Sequence, residues 1–242
     1  MVDPGLCNPG KPFMAVEKLS FGLSVGECFC LLGVNGAGKS TTFKSLTCEV
    51  KPTSGKITIA GHDIQRDWEK VRQLIGYCPQ TNPIFDTMSV EEHIDYYARI
   101  KGISAKEKGP LIEDVIKELG LESHRTKAAG TLSGGNKRKL SVAIAIIGNP
   151  QIILLDEPSA GMDPESRRFM WQVVAKISNE KTSAVILTTH LMEEAEALST
   201  KMGIMVKGGI FKCFGSSQHI KNKFGTGYVI DVKIRTPTQE EL

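Results

Sequence analysis

One eight-residue stretch, GVNGAGKS at residues 33–40, restricts what this chain can fold into. An apolar run at residues 28–32 precedes it between two glycines, a pattern typical of a buried strand that ends in a turn. The spacing is that of a phosphate-binding loop, in which Gly36 and Gly38 allow backbone N–H groups to close around an anion. The stretch therefore predicts a strand, a loop and a helix that together bind a nucleotide.

The side chains of this phosphate loop have separate predicted roles. Lys39 is placed to bridge the outer phosphates, and the Ser40 hydroxyl is placed to hold Mg²⁺. The positive end of the following helix dipole adds fixed charge at the same place. The predicted nucleotide-binding positions here are Gly33, Asn35, Gly36, Ala37, Gly38, Lys39, Ser40 and Thr41.

Length and composition limit the remaining possibilities. The chain has 242 residues, of which 40% are hydrophobic, enough for one buried core with a subdomain but not for two full domains. The net charge is only +3 with basic residues spread out, so we expect no nucleic-acid surface. The longest apolar runs are far shorter than the ~20 residues of a membrane span, and no leader pattern opens the chain. The six cysteines include no CxxC pair, so we expect buried, reduced thiols.

Hydrophobic periodicity predicts strands that alternate with helices along most of the chain. The predicted strands are residues 13–25, 28–32, 55–60, 75–78, 152–156, 183–188, 203–206, 210–214 and 228–234. The predicted helices are residues 41–48, 90–101, 106–119, 136–147, a segment up to about 178, a segment up to 198, and 218–224. Such alternation predicts an α/β fold with a parallel sheet and helices on its faces.

The middle of the chain changes to helices only and is predicted to be a helical insert. In its third helix, Leu140, Ala143, Ile144 and Ile147 form one apolar stripe. The neighbouring Lys137, Arg138 and Lys139 fall on other faces, where we expect them to be solvated.

Two acids follow the most hydrophobic strand. Ligands of open parallel sheets bind at the carboxyl ends of the strands, and Asp156 and Glu157 stand at such an end. Asp156 suits the Mg²⁺ shell. Glu157 suits the role of a general base toward the water that attacks a γ-phosphate.

Polar residues also follow two other predicted strands. The Gln80 amide is placed to reach Mg²⁺ or the attacking water, and the His190 imidazole is placed to hydrogen-bond a γ-phosphate. Neither residue carries this prediction alone, since a lone polar residue is more often part of an ordinary surface. The other histidines, His62, His93, His124 and His219, are assigned to surface or core.

A second candidate anion site lies at residues 132–136, LSGGN, which we call the signature segment. Ser133 is placed as a helix N-cap, and Gly134 and Gly135 expose backbone N–H groups at a positive helix end. An ordinary capped helix is the alternative reading. Because the insert should hold this segment away from its own phosphate loop, it suits a nucleotide bound to another copy.

The order and spacing of these motifs resemble an ABC-type ATP-binding cassette. GVNGAGKS, Gln80, LSGGN, IILLDE, SAGMD at residues 159–163 and His190 are similar to its Walker A, Q-loop, signature, Walker B, D-loop and H-switch. LSGGNKRKLS, DEPSAGMDPESRR, TTHLMEEAEAL and KNKFGTGY are similar to the A subfamily of ABC transporters. The resemblance implies a P-loop NTPase (RecA-like) core with a small antiparallel β subdomain and a helical insert.

The resemblance also implies function and partners. It implies hydrolysis of ATP with Mg²⁺, with Ser40, Gln80 and Asp156 as metal ligands and Glu157, His190 and Gln80 as catalytic residues. Ser133, Gly134 and Gly135 would contact the nucleotide of a second cassette, and Asp163 would lie at the dimer seam. The cassette would span residues 1–220, with an insert at about 82–150 and an extension at 221–242. It would act on the cytoplasmic face of a membrane beside transmembrane domains that move lipids.

Two departures and two alternatives accompany this interpretation. Relatives carry an aromatic residue that stacks on adenine, for which Phe13 is a poor candidate, and Cys30 and Cys48 stand where relatives often have glycine.

A soluble ABC-type ATPase of translation or DNA repair is the first alternative, although repair types need a far longer insert. A GTPase or kinase is the second; it leaves LSGGN and His190 unexplained, and no NKxD motif is present.

Overall fold

The computed structural model of the protein describes residues 14–225. Its strands are β1 (Cys28–Gly33), β2 (Thr58–Ile59), β3 (His62–Asp63), β4 (Ile75–Cys78), β5 (Ile152–Asp156), β6 (Ala184–Thr189), β7 (Lys201–Val206) and β8 (Ile210–Gly215). Its α-helices are α1 (Lys39–Leu46), α2 (Trp68–Leu74), α3 (Val90–Ile100), α4 (Ala105–Glu118), α5 (Gly134–Ile146), α6 (Pro164–Asn179), α7 (Met192–Leu198) and α8 (Ser217–Phe224). None of the helices in this part of the chain is long and apolar enough to cross a bilayer.

Six strands form one sheet in the order β4-β5-β6-β1-β7-β8. The first five are parallel, whereas β8 pairs antiparallel to β7 at the edge. β2 and β3 form a separate two-stranded antiparallel sheet. The predicted α/β architecture with a parallel sheet is confirmed.

The sheet separates two hydrophobic clusters, because successive side chains of a strand point to opposite faces. In β1, Cys28, Cys30 and Leu32 face the cluster that includes side chains of helices α3 to α7. Phe29 and Leu31 face the other cluster, which is formed with α1, α2 and the β2–β3 pair. A strand buried on both faces explains why the sequence before the phosphate loop is apolar at every position.

The predicted helical insert is present as α3, α4 and α5. Each helix begins at a serine whose side chain accepts a hydrogen bond from a backbone N–H of the first turn: Ser89, Ser104 and Ser133. α5 lies so close to β4 that a Cβ on Gly76 would be 1.9 Å from the carbonyl oxygen of Ala145. The helix that follows the signature segment therefore packs directly on a strand of the main sheet.

Several local predictions were wrong. Residues 14–25 form no strand; their alternating Leu19, Phe21 and Leu23 pack on the second cluster instead, with the Phe21 ring stacked 4.8 Å from that of Phe29. The predicted strand at 55–60 is reduced to Thr58–Ile59. Helix α2 was not predicted, because only Val71 in it is buried. The predicted strand at 228–234 lies outside the described residues.

Burial also corrects the interpretation of α5. From Leu140 to Ile146 every residue is buried, so the helix is enclosed on all sides rather than along one stripe. Arg138 is 3% exposed, and the expectation that it is solvated was wrong. Lys139 is half-buried, with its ammonium 4.1 Å from the centre of the Phe169 ring.

The described cysteines are free thiols, as expected, but not all are buried. Cys28, Cys30 and Cys78 are buried, whereas Cys48 and Cys213 are only half-buried. Cys48 has a φ of 57°, a left-handed conformation that favours glycine. This conformation agrees with the expectation that glycine stands at this position in relatives.

Candidate functional site

The site lies where four parallel strands end at the same edge of the sheet. β1 runs into the phosphate loop, and β4 is followed after Pro79 by Gln80. The central strands β5 and β6 end at Asp156 and Thr189, so Glu157 and His190 follow them directly. Residues far apart in sequence thus meet at one edge, as the strand pattern predicted.

The phosphate loop has the backbone that its glycines predict. Gly36 and Gly38 have φ angles of 78° and 101°, which side-chain-bearing residues rarely adopt. A Cβ at Gly33 would be 2.6 Å from the carbonyl oxygen of Met205, so this position also needs glycine for space. Helix α1 begins at Lys39, directly after the loop, so its N-terminal amides face the loop interior.

The Lys39 ammonium bridges the loop and the strand edge. Its Nζ donates to the carbonyl oxygens of Gly33 (2.7 Å) and Val34 (3.3 Å). The same Nζ lies 3.9 Å from Oε1 of Glu157, and Lys39 is only 5% exposed. A buried cation beside open backbone amides is suited to bind phosphate oxygens.

Glu157 is the point at which the predicted catalytic residues converge. Gln80 donates from Nε2 to its Oε2 at 3.4 Å, and Nδ1 of His190 lies 3.4 Å from its Oε1. Both partners are exposed, whereas Glu157 is 9% exposed. The structure therefore places Lys39, Gln80 and His190 around one carboxylate at the rim of the phosphate loop.

The backbone of Glu157 is strained. Its φ of 50° is uncommon for a residue with a side chain, and such outliers cluster at functional sites. Thr188 holds this conformation, because the Glu157 N–H donates both to the carbonyl oxygen (3.1 Å) and to Oγ1 (3.0 Å) of Thr188. Sequence reasoning missed Thr188, although a hydroxyl at the end of an apolar strand was a usable signal.

The residues assigned to Mg²⁺ have the chemistry that this ion prefers. Asp156 is 4% exposed and its Oδ1 accepts a hydrogen bond from Thr188 Oγ1 at 2.5 Å, which orients the carboxylate. The other predicted donors are the Ser40 hydroxyl and the Gln80 amide oxygen. Mg²⁺ binds through oxygens, often with one or two carboxylates and substrate phosphates, so this donor set fits. Residues 14–225 contain no group of three or more His, Cys, Asp or Glu side chains able to hold a metal by themselves.

Two buried cysteines lie in strands that lead to the site. Burial raises the pKa of Cys28 to about 12 and that of Cys78 to about 11. Both thiols are therefore protonated at neutral pH, which makes them poor nucleophiles.

The signature segment lies at the start of α5. Ser133 is exposed, and its Oγ accepts from the N–H of Asn136 at 3.3 Å, as a helix N-cap does. Gly134 is exposed with open space around it. Within residues 14–225, no hydrogen bond or ion pair joins this segment to the phosphate loop.

Asp163 is the N-cap of α6, and its Oδ2 accepts from the N–H of Ser166 at 3.0 Å. This backbone hydrogen bond lowers the pKa of the Asp163 carboxyl, which is therefore charged at neutral pH. The candidate adenine-stacking residue, Phe13, lies outside the described residues. The residues that follow it, Ala15 and Val16, reach the loop: a Cβ at Gly38 would be 2.6 Å from the Ala15 carbonyl oxygen.

Comparisons with known proteins agree with this geometry. The family model described as ABC transporter matches residues 16–160. The chain is 51% identical over 230 residues to the phospholipid-transporting ATPase ABCA3 of Homo sapiens, and 50% identical over 234 residues to the retinal-specific phospholipid-transporting ATPase ABCA4 of Homo sapiens. These matches cover 95% and 97% of this chain but only 13% and 10% of the relatives, so the chain spans about a tenth of their length.

Solved structures share the fold. The ATP-binding subunit of an ABC transporter superimposes with a TM-score of 0.78 at 28% identity, over 87% of each chain. A dimeric ATP-binding cassette in a post-hydrolysis state bound to ADP and Pi superimposes with a TM-score of 0.75 at 23% identity, over 84% of this chain and 90% of that one. Together with the family model, these likenesses show that the chain belongs to the ABC transporter family, as an ATP-binding cassette.

Proposed function

We propose that this chain is the ATP-hydrolysing cassette of a membrane transporter of lipids, and that two cassettes must associate to hydrolyse ATP. The observation that carries the proposal is the convergence of Lys39, Gln80 and His190 on the Glu157 carboxylate, beside a phosphate-binding loop. No single one of these residues specifies an ATPase. Their meeting beside the phosphate loop, at the edge where four parallel strands end, supports an ATPase.

Binding begins with the phosphate loop. The N–H groups of the loop and of the first turn of α1 surround the phosphates, and Lys39 exchanges its carbonyl partners for the outer phosphate oxygens. Ser40, Asp156 and Gln80 would hold Mg²⁺. This ion, when bound, neutralises charge on the phosphates.

Glu157 then acts as the base. Its carboxylate accepts a proton from the water that attacks the γ-phosphate, and the Thr188 hydrogen bonds hold its backbone in place. His190 is exposed beside it and can hydrogen-bond the γ-phosphate while contacting the carboxylate. Gln80 orients the water from the other side.

The second cassette supplies the remaining contacts. Ser133, Gly134 and Gly135 are open to solvent or half-exposed at a helix N-terminus, and their own phosphate loop does not use them. They therefore suit the γ-phosphate of a nucleotide held by a partner cassette. Asp163, which caps α6, suits the seam between the two.

The substrate class and the setting come from the relatives. ABCA3 and ABCA4 are named phospholipid-transporting ATPases, so we propose lipid as the cargo, transmembrane domains as partners and the cytoplasmic face of a membrane as the location. We further propose that the cassette spans residues 1–220, with the helical insert at about 82–150 and an extension at 221–242. A soluble ATPase of translation or DNA repair is not favoured, because the relatives named here are transporters.

A thermal shift experiment tests the nucleotide site. Mg·ATP should raise the melting temperature of the wild type, since a ligand that binds only the folded state stabilises it. Lys39→Ala should reduce or abolish that shift, because it removes the cation beside the phosphates. Lys44→Ala is the matched control, since Lys44 lies on the same helix but is paired at the surface with Glu49 at 3.2 Å. An equal shift in wild type and Lys39→Ala would refute the assignment.

A further inference from the structure

Arg138 is a buried arginine that the proposed reaction does not yet use. It lies in the second turn of α5, which begins at the signature segment, and is 3% exposed. Within residues 14–225, no carboxylate oxygen lies within 4.0 Å of its guanidinium. A buried cation without an ionic partner needs another set of acceptors.

Backbone oxygens of two separate segments supply these acceptors. On one side, Nη1 donates to the carbonyl oxygens of Pro79 (2.5 Å) and Gln80 (3.3 Å). On the other side, Nη2 donates to the carbonyl oxygens of Asp156 and Glu157, the latter at 3.0 Å. Arg138 Nε also donates to this second segment, to the Pro158 carbonyl oxygen at 3.1 Å.

The guanidinium thus joins the backbone of the segment that carries Gln80 to the backbone of the segment that carries Glu157. A planar group with five N–H donors can hold two segments at a fixed separation, which a lysine ammonium, a compact point charge, cannot do. Because the Gln80 side chain also contacts the Glu157 carboxylate at 3.4 Å, small displacements of either backbone would change their relative position.

The helix that carries Arg138 is itself fixed. α5 touches β4 at Gly76, where no side chain would fit against Ala145. The Ser141 hydroxyl donates to Oδ1 of Asn82 at 3.1 Å, and Arg138 Nη1 lies 3.4 Å from the same oxygen. The guanidinium therefore projects from a rigid support.

We propose that Arg138 is a positioning residue that holds Gln80 and Glu157 of its own chain in the geometry required for hydrolysis. This inference rests on the proposed function for the roles of these two residues. It assigns Arg138 an effect on the turnover rate rather than on nucleotide binding, because the guanidinium contacts neither the phosphate loop nor Lys39 among the described residues.

The first test compares Arg138→Lys with Lys101→Met. Lys101 is the matched control, since its Nζ also donates to a backbone carbonyl of β4, that of Ile75 at 2.7 Å, but at the opposite end of the strand. Arg138→Lys should lower kcat by about 10- to 100-fold, the scale of a displacement of about 1 Å at an active site. Its KM for ATP should stay within about 3-fold of the wild-type KM. Mg·ATP should still raise its melting temperature as it does for the wild type. Lys101→Met should lower the melting temperature without lowering kcat.

Several outcomes would overturn the inference. One is a wild-type kcat in Arg138→Lys; another is a KM that rises by as much as kcat falls; a third is an equal loss of kcat in Lys101→Met at equal stability. If Arg138→Lys does not fold, Asn82→Ala is the milder variant, since it removes one acceptor of the guanidinium. Because Asn82 also accepts a hydrogen bond from the Ser141 hydroxyl, some loss of stability is expected; kcat should fall several-fold at a temperature where the variant is folded, and an unchanged kcat would overturn the inference.

A mixed dimer tests whether Arg138 acts within its own chain. When one chain carries Lys39→Ala and the other Ser133→Arg, the intact site combines the phosphate loop of the second chain with the signature segment of the first. Adding Arg138→Lys to the Ser133→Arg chain should lower activity by the same factor as above. Adding it to the Lys39→Ala chain should have no effect, and a loss there would overturn the inference.

Failure of the proposed function would look different. If Glu157→Gln hydrolysed ATP normally, the base would be misassigned whatever Arg138 does. If Glu157→Gln is inactive and Arg138→Lys is fully active, the proposed function stands and the inference about Arg138 fails.

Discussion

The strand edge at Glu157 and the signature segment at Ser133 are both predicted to contact nucleotide phosphates, the first in its own chain and the second in a partner cassette, and their surroundings differ. Lys39, Asp156 and Glu157 are buried and linked to one another or to Thr188. Ser133 and Gly134 are exposed, and among the described residues they have no contact with that cluster. The strand edge at Glu157 is held by contacts within its own chain, whereas the signature segment is exposed to solvent.

This difference suggests that the two regions carry separate functions. A buried and hydrogen-bonded set of side chains is held for chemistry, because each group is oriented before substrate arrives. A capped helix end with exposed amides is a surface for an incoming anion. The comparison therefore predicts that damage to each region has distinct consequences, and the following experiments test this in order of expected effect.

The largest effect is expected for Glu157→Gln. The change keeps size and hydrogen bonding but removes the base, which is typically worth about 10² to 10⁴ in rate, or roughly 3 to 5 kcal/mol of barrier. Turnover should collapse while the Mg·ATP thermal shift is retained, and an ATP-bound dimer should accumulate, visible by gel filtration. Normal turnover would transfer the role to another residue, with His190, 3.4 Å from the carboxylate, as the next candidate.

The next experiment mixes Lys39→Ala with Ser133→Arg. Each variant should be inactive alone, because the first damages the phosphate loop and the second the signature segment. An equal mixture should recover up to about a quarter of wild-type activity, since half of randomly paired dimers are mixed and each has one intact site of two.

The mixing assay needs high protein concentration, because a cassette without its membrane partners pairs weakly. Wild-type ATPase rate should rise with the square of concentration at the dilute end. If wild type shows this dependence and the mixture recovers nothing, the two regions do not complement each other across chains, and the two-cassette mechanism is wrong.

A change at Gly76 tests how closely α5, the helix that begins at the signature segment, packs on β4 of the main sheet. In Gly76→Ala the new Cβ would lie 1.9 Å from the Ala145 carbonyl oxygen, so α5 must move away from β4. Overpacking of this kind costs about 1–3 kcal/mol, and the melting temperature should fall by several degrees. Gly109→Ala is the control, since nothing lies within 4 Å of its Cβ position in α4, and it should leave stability unchanged or raise it. Equal melting temperatures for the two variants would contradict the close packing of α5.

The smallest effect is expected far from both regions, at the start of β1. Glu27 accepts hydrogen bonds from Lys201 Nζ (2.6 Å) and from the Ser24 N–H (2.9 Å), which lower its pKa below the usual 4.5. The stabilisation is present above pH 4.5 and is lost as the pH falls through the lower pKa of the folded state. Glu27→Gln should therefore lower stability at pH 7 by less than about 1 kcal/mol, given solvent screening, with no difference at strongly acidic pH. Urea unfolding at both pH values measures this, and the ATPase rate should not change.

The fold was predictable where a pattern is local. The apolar strand before GVNGAGKS, the Ser133 N-cap of α5 and the acids at the end of β5 each depend on neighbouring residues, and all three were found as expected. The segment at 14–25 shows the limit. Its alternating Leu19, Phe21 and Leu23 have the period of a strand, but period alone does not supply a pairing partner, and here the side chains pack without one.

The candidate site likewise combines features that the sequence predicts with features that only the folded chain creates. The sequence by itself determined the family, the phosphate loop and which residue types stand at the ends of β4, β5 and β6, because each motif is read from short spacings. Tertiary structure alone decided that Glu157 adopts a φ of 50° under the control of Thr188, and that Arg138 is buried rather than solvated. These depend on contacts between residues 18 to 59 positions apart in the chain, such as Arg138 with Asp156 and with Pro79. No local period encodes such contacts, since the packing of α5 on β4 and β5 creates them only when the sheet is assembled.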